Sequence, residues 1–214
     1  MPPGIYAVLI ADVMQSSSRR NLRGILGKKL ASASRQHFRR KLIKLPYSVT
    51  AGDEFQTVVA DLKAVPAIIL DLRAWFQPLP LRIGIGIGRI SDRIQPPVNR
   101  LGGEAFQLAR HAIDGIKRGR LFKFESRTAF ASRNTRFDGT MNLIYGLHDT
   151  LVRKITPKQW KTIAMFLSQQ ALEQTARRLR LDMSTVSRNL KRGYYWQLSE
   201  TAQGAGSLIK STFL

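Results

Sequence analysis

The chain has 214 residues, 43% hydrophobic and 23% charged, a balance that suits one or two units with proper cores and excludes long disorder. Its 35 Lys+Arg against 14 Asp+Glu leave a net charge of +21, which implies a polyanionic partner, nucleic acid ahead of an anionic membrane surface. With no cysteine, disulfides, thiolate nucleophiles and Cys-ligated zinc are excluded, and His37, His111 and His148 stand at no metal-ligand spacing.

Met1 to Ile10 carries neither a basic leader nor a cleavage site, and no stretch approaches membrane-spanning length, so a cytoplasmic location without membrane contact is expected. Ile5 to Ala11 is a continuous β-branched and apolar run, the pattern of a central strand buried on both faces, and Asp12 stands at its end. Leu22, Leu26, Leu30, Ala33 and His37 then recur every three or four residues among Lys and Arg, predicting a basic amphipathic helix. Tyr47 to Thr50 and Phe55 to Ala60 form a strand pair joined tightly through Gly52 and Asp53.

Asp61 is placed to cap a second helix with Leu62, Val65, Ile69, Leu72 and Phe76 as its buried stripe, ended by Pro78 and Pro80. Leu81 to Ile90 alternates strictly, with Ile83, Ile85 and Ile87 on one face and Gly84, Gly86 and Gly88 on the other, where a helix can pack close to bare backbone. Gly102 and Gly103 open a third helix along Ala105, Leu108, Ala109, Ala112 and Ile116, and short strands are expected near Leu121 to Phe124 and Thr128 to Ala131. This order predicts an α+β fold with a ferredoxin-like βαββαβ core over residues 1–137, followed by a small all-α unit over residues 138–214.

Within the second unit, Gln170 to Leu181 and Met183 to Arg192 read as two short helices around a turn, with Asp182 as the cap of the second and Val186 and Leu190 inward. The spacing resembles the helix-turn-helix of bacterial regulators, in which a small residue such as Ala176 lets the helices cross closely. That reading faces Met183, Ser184, Thr185, Ser187 and Arg188 toward DNA base edges and gives Lys191 and Arg192 to phosphate. Arg180 occupies the turn position where such motifs often carry Gly.

In a ferredoxin-like sheet Asp12 and the Asp53-Glu54 hairpin are neighbours, and paired carboxylates at adjacent strand ends can hold two Mg²⁺ ions that clamp a triphosphate, with Gly52 admitting phosphate to the backbone. Ala11-Asp12-Val13, Ala51-Gly52-Asp53-Glu54-Phe55, Leu81 to Gly86 and Gly102 to Arg110 together resemble the successive signatures of class III nucleotidyl cyclase domains. Joined to a C-terminal helix-turn-helix, the whole is similar to the SatD-type family from about Ile5 to Arg192. The resemblance implies Asp12 and Asp53 as metal ligands, Glu54 as a spare ligand, and Arg110 as the cation on the transferring phosphorus. Gln107 is the only polar residue where cyclases carry an Asn before that Arg.

Two functions follow, beside a third reading that uses only the charge, an architectural protein coating nucleic acid nonspecifically. One is a DNA-binding regulator whose cyclase-like unit senses a nucleoside triphosphate or cyclic nucleotide, or serves to dimerise. The other is a Mg²⁺-dependent nucleotidyl cyclase or nucleotidyltransferase with a helix-turn-helix appendage. A homodimer suits both.

Overall fold

The computed structural model describes residues 4–18, 21–91, 93–119 and 121–214. Among these residues five strands form one mixed sheet: β1 (Ile5–Val13), β2 (Ser48–Ala51), β3 (Glu54–Val59), β4 (Leu81–Arg89) and β5 (Thr128–Ala131). Their order is β2-β3-β1-β4-β5, antiparallel throughout except for the β4–β5 pair. The first four lie as a βαββαβ chain path requires, and β5 adds an edge after a crossover through α3 (Glu104–Lys117).

The period of two along the central strands divides the sheet into two interiors. Ala7, Leu9, Ala11, Phe55, Ile83 and Ile85 face α1 (Leu22–Arg39) and α2 (Val65–Trp75). Val8, Ile10 and Val58 face Ala105, Ala109 and Ile113 of α3 on the other side. The glycine face of β4 lies under α3 as expected: a Cβ at Gly86 would come within 2.1 Å of the Ala105 carbonyl oxygen, and one at Gly84 within 2.7 Å of that of Ala109.

After β5 the chain is helical: α4 (Thr135–Val152), α5 (Pro157–Gln169), α6 (Leu172–Leu179), α7 (Met183–Arg192) and α8 (Tyr195–Phe213). The boundary expected between residues 137 and 138 falls inside α4, because Phe137, Met141 and Tyr145 form an apolar stripe that completes the sheet core. Ala205 and Ile209 of α8 join the same core. A second core assembles Trp160, Ile163 and Phe166 of α5 with Ala176, Val186, Leu190 and Leu198, and it rests on Leu70 and Ala74 of α2.

Two local expectations fail. No strand forms over Leu121 to Phe124; the rings of Phe122 and Phe124 stack 4.8 Å apart and lie against Gly146 of α4 instead. Asp61 caps the 3₁₀ turn Leu62–Ala64 that precedes α2, rather than α2 itself, by accepting from the Lys63 N–H. Among the described residues no helix is long and apolar enough to cross a membrane.

Buried charge ties α2, β5 and α4 together. Arg73 and Asp149, 3% and 0% exposed in their side chains, pair at 2.6 Å, and Thr128 and the Arg127 N–H complete the carboxylate's partners. Burial would raise the Asp149 carboxyl, but Arg73 and then His148 hold it below its ordinary value, while burial pushes the His148 imidazole down.

Candidate functional site

The register Ala11↔Phe55 between β1 and β3 carries Asp12 one step further toward Glu54, on the face that α3 covers. Asp12, 3% exposed, stands opposite Arg82 of β4 and accepts from its Nε at 2.8 Å. Its other oxygen lies 2.9 Å from the Lys117 ammonium. Glu54 accepts both terminal nitrogens of Arg110 at 2.6 Å each, a fork-to-fork pair, and the Thr50 hydroxyl at 3.0 Å. Lys117 also reaches Glu54 at 3.5 Å, so one ammonium sits between the two carboxylates.

Arg110 and Lys117 are seven residues apart on α3, two turns along one helix face, which is why both reach the same strand ends. Burial would raise the Glu54 carboxyl, but the Arg110 hydrogen bonds and charge, with Thr50 and Lys117, hold it below its ordinary value. Burial would lower Lys117, yet the Asp12 hydrogen bond and charge raise it. The cluster is therefore closed on itself.

Asp53 is not part of it. Half-buried in the turn beyond left-handed Gly52 (φ 59°), it lines a separate shallow pocket with Ser16, Ser17, Asn21, Leu22 and Arg23 at the start of α1. Asp53 belongs to the turn before β3 and makes no ion pair with the cations that hold Asp12 and Glu54. Gln107 is exposed on α3, and its side chain has no hydrogen-bond partner among the described residues.

This donor set does not fit two Mg²⁺ ions. Both oxygens of Asp12 and both of Glu54 already face cations of the protein, and among the described residues no three His, Asp or Glu gather as a metal site. Sequence reasoning missed Arg82 and Lys117. The signals were there: Arg82 stands at the start of the strand that pairs with β1, and Lys117 repeats the Arg110 position at helical spacing.

The second candidate surface is built by α6 and α7. Val186 and Leu190 are fully buried and Ala176 is 5% exposed, so the seam between the helices is apolar and close. Asn189 Nδ2 donates to the Thr162 hydroxyl at 3.2 Å and fixes α7 to α5. Arg180 takes the left-handed conformation (φ 54°, ψ 50°) that the turn needs and that a glycine would adopt without strain.

Asp182 stands at the N-cap of α7, but its exposed carboxylate makes no capping hydrogen bond; at a solvent-facing helix start, water competes for those N–H groups. Met183, Ser184, Ser187, Arg188, Lys191 and Arg192 are exposed, and Thr185 is half-buried. Arg188 folds back on its own helix, donating to the Ser184 carbonyl at 3.3 Å and the Thr185 hydroxyl at 3.2 Å. Arg177 pairs with Glu173 at 2.6 Å, whereas Arg178, Arg180, Lys191 and Arg192 have no carboxylate partner among the described residues.

Two solved structures match this chain loosely. The adenylyl cyclase CyaB from P. aeruginosa is 16% identical over 50% of this chain and 70% of its own, with a TM-score of 0.32. A regulator of polyketide synthase expression from Bifidobacterium adolescentis is 17% identical over 96% of this chain and 86% of its own, with a TM-score of 0.31. Likenesses this loose carry no argument about activity. No curated protein matches the chain. The sequence-level match is to a family model, over residues 6–197, which takes in both the sheet and the α6–α7 pair. The chain belongs to the SatD family.

Proposed function

We propose that this protein is a DNA-binding regulator in which α6 and α7 form a helix-turn-helix and the sheet-containing part serves as a sensing or dimerising unit. One observation carries the reading: the start of α7 presents polar and cationic side chains outward on an apolar seam that locks the helix in place. Met183, Ser184, Ser187 and Arg188, with Thr185 at the margin, would meet base edges, and Lys191 and Arg192 would meet phosphate. Arg178 and Arg180 widen the phosphate-facing rim.

Binding would proceed by release of counterions from the duplex, followed by a swing of Arg188 from its own helix to a base. The βαββαβ strand order supports reading the sheet as a ferredoxin-like, nucleotidyl cyclase-like unit, with a nucleoside triphosphate or cyclic nucleotide as the first candidate signal. A homodimer would place two such helices on paired half-sites.

The alternative, a Mg²⁺-dependent nucleotidyl cyclase using Asp12, Asp53 and Arg110, has less support. Arg110 is already closed on Glu54, and Asp53 lines a pocket at the start of α1 that does not include Asp12. Fluorescence anisotropy with random and selected duplexes over a salt series tests the regulator: a sequence preference should persist at salt where random DNA no longer binds. Equal loss on all duplexes would reduce the protein to a nonspecific polyanion binder. Product analysis with ATP and GTP tests the enzyme.

A further inference from the structure

Where α2 faces α5 and α8, a cavity of about 440 Å³ opens between the sheet-containing part and the helices that carry α6 and α7. Its walls include Ala67 and Leu70 of α2, Leu167 of α5 and Ala202 of α8. Gln170, Ser199, Gln203 and Ser207 add neutral polar groups, and the charged ones are held in place. Asp71, 3% exposed, accepts from Arg40 at 2.5 Å and from His37 at 3.2 Å, and His37 is held in turn by the Tyr47 hydroxyl at 2.8 Å. Arg40 uses only Nη1 in that bond; its other donors have no partner among the described residues. Lys63 lines the same space, and its only carboxylate contact among the described residues is Asp61 at 3.6 Å.

Two cations against one carboxylate, among walls that are partly apolar and partly polar, give the cavity a net positive lining. A mixed lining of this volume is what small-molecule sites have. The geometry points to a regulatory site for a small organic anion, an aromatic or aliphatic body bearing one carboxylate, sulfonate or phosphate, seated between α2 and the α5/α8 pair. The anionic group would lie against Lys63 and the free edge of the Arg40 guanidinium, with the body against Ala67, Leu167 and Ala202.

Chain connectivity supplies the consequence. Leu167 and Gln170 belong to the end of α5, one residue before α6 is entered through Ala171, while Tyr195 and Ser199 open α8 directly after α7 and Gly193-Tyr194. Both ends of the α6–α7 pair are therefore anchored on this cavity. A ligand that binds one spacing of α2 and α5/α8 better than another biases the placement of α7, and DNA must bias ligand affinity by the same factor. The regulatory consequence rests on the DNA-binding reading; the site does not.

The test uses the full chain and the probe 8-anilinonaphthalene-1-sulfonate, which has an aromatic body and one sulfonate, with the uncharged N-phenyl-1-naphthylamine as control. The expected result is one saturable site, at least about tenfold tighter for the sulfonate, a difference of about 1.4 kcal/mol. Ala67→Trp should fill the cavity and abolish binding, and Lys63→Glu, an exposed change that leaves the core intact, should weaken the sulfonate and spare the neutral probe. Unsaturable binding, several equivalent sites, or affinities unchanged by both substitutions would overturn the site. Saturating probe should shift DNA affinity in the parent chain and not in Ala67→Trp; a bound probe with unshifted DNA affinity overturns the coupling. Absence of DNA binding with the probe site intact would instead count against the regulator reading alone.

Discussion

The strand ends around Asp12 and the outer face of α6 and α7 are both rich in Arg and Lys, yet, Arg177 on Glu173 apart, their cations are in opposite states. At the strand ends Arg82, Arg110 and Lys117 each close on a carboxylate within 3 Å. On α6 and α7, Arg178, Arg180, Lys191 and Arg192 meet no carboxylate among the described residues, and Arg188 meets only its own helix. A cation satisfied inside the protein has little to offer an external anion, because a new partner must first displace the old one. An open cation in a chain of net charge +21 is held near only by counterions, which a phosphate backbone can replace. Charge count alone does not distinguish the two; the positions of the 14 acidic residues do.

This contrast predicts that removing a closed charge damages the fold and that removing an open one damages binding. The largest effect belongs to the deepest closed pair. Arg73→Leu strands Asp149 in the interior and should cost about 3–5 kcal/mol in urea unfolding. A loss under about 1 kcal/mol would mean that Thr128 and the Arg127 N–H suffice for that carboxylate.

Next comes the open side. Arg188→Ala should lower the preference for a selected duplex by about 1–3 kcal/mol while leaving the unfolding midpoint in place, and Lys191→Ala should weaken all duplexes alike and reduce the salt slope by about 1. Equal behaviour of the two variants would remove the distinction between base and phosphate contacts on α7.

Arg180→Gly sharpens the comparison at one residue, since Arg180 is both an open cation and a strained turn. It should gain about 1 kcal/mol of stability by relieving the left-handed backbone, and lose DNA affinity independently of sequence. A loss of stability would show that the Arg180 side chain holds the turn.

The smallest effect is at Glu54. Its carboxyl is held below the ordinary value in the folded chain, so its stabilising contribution is complete above the unfolded value and disappears as pH falls through the folded one. With Arg110 44% exposed in its side chain, solvent screens the pair, and Glu54→Gln should cost about 0.2–1 kcal/mol at neutral pH, less in high salt. The variant should also lose part of the acid dependence of the urea midpoint; an unchanged acid limb would assign that dependence to other carboxylates.

Much of this architecture was legible in the chain itself. The period of two in Leu81 to Ile90 dictated a strand with a bare face, and α3 fills that face because nothing else can approach so closely. The period near four in Leu22 to His37 gave α1, and the Val186–Leu190 spacing gave the inward side of α7. Such patterns are local, and side-chain alternation follows from backbone geometry alone. The three consecutive aromatics at the α7–α8 junction likewise had to divide: Tyr195 is buried and Trp196 is 51% exposed.

What the chain could not decide alone was pairing at a distance. Asp12 and Asp53 read as partners because both lie at the ends of adjacent strands; the register brings Glu54 opposite Asp12, and Asp53, in the turn, lines a pocket at the start of α1. Lys117, 105 positions from Asp12, enters between the carboxylates because α3 crosses that face of the sheet. The aromatic run Leu121 to Phe124 has strand character, but packing on Gly146 overrides it, and α4 belongs to the sheet core because its stripe finds Phe130 there. Propensity and periodicity act over a few residues and fix which faces are apolar; only the assembled structure fixes which face meets which, and therefore which charges are closed and which remain open.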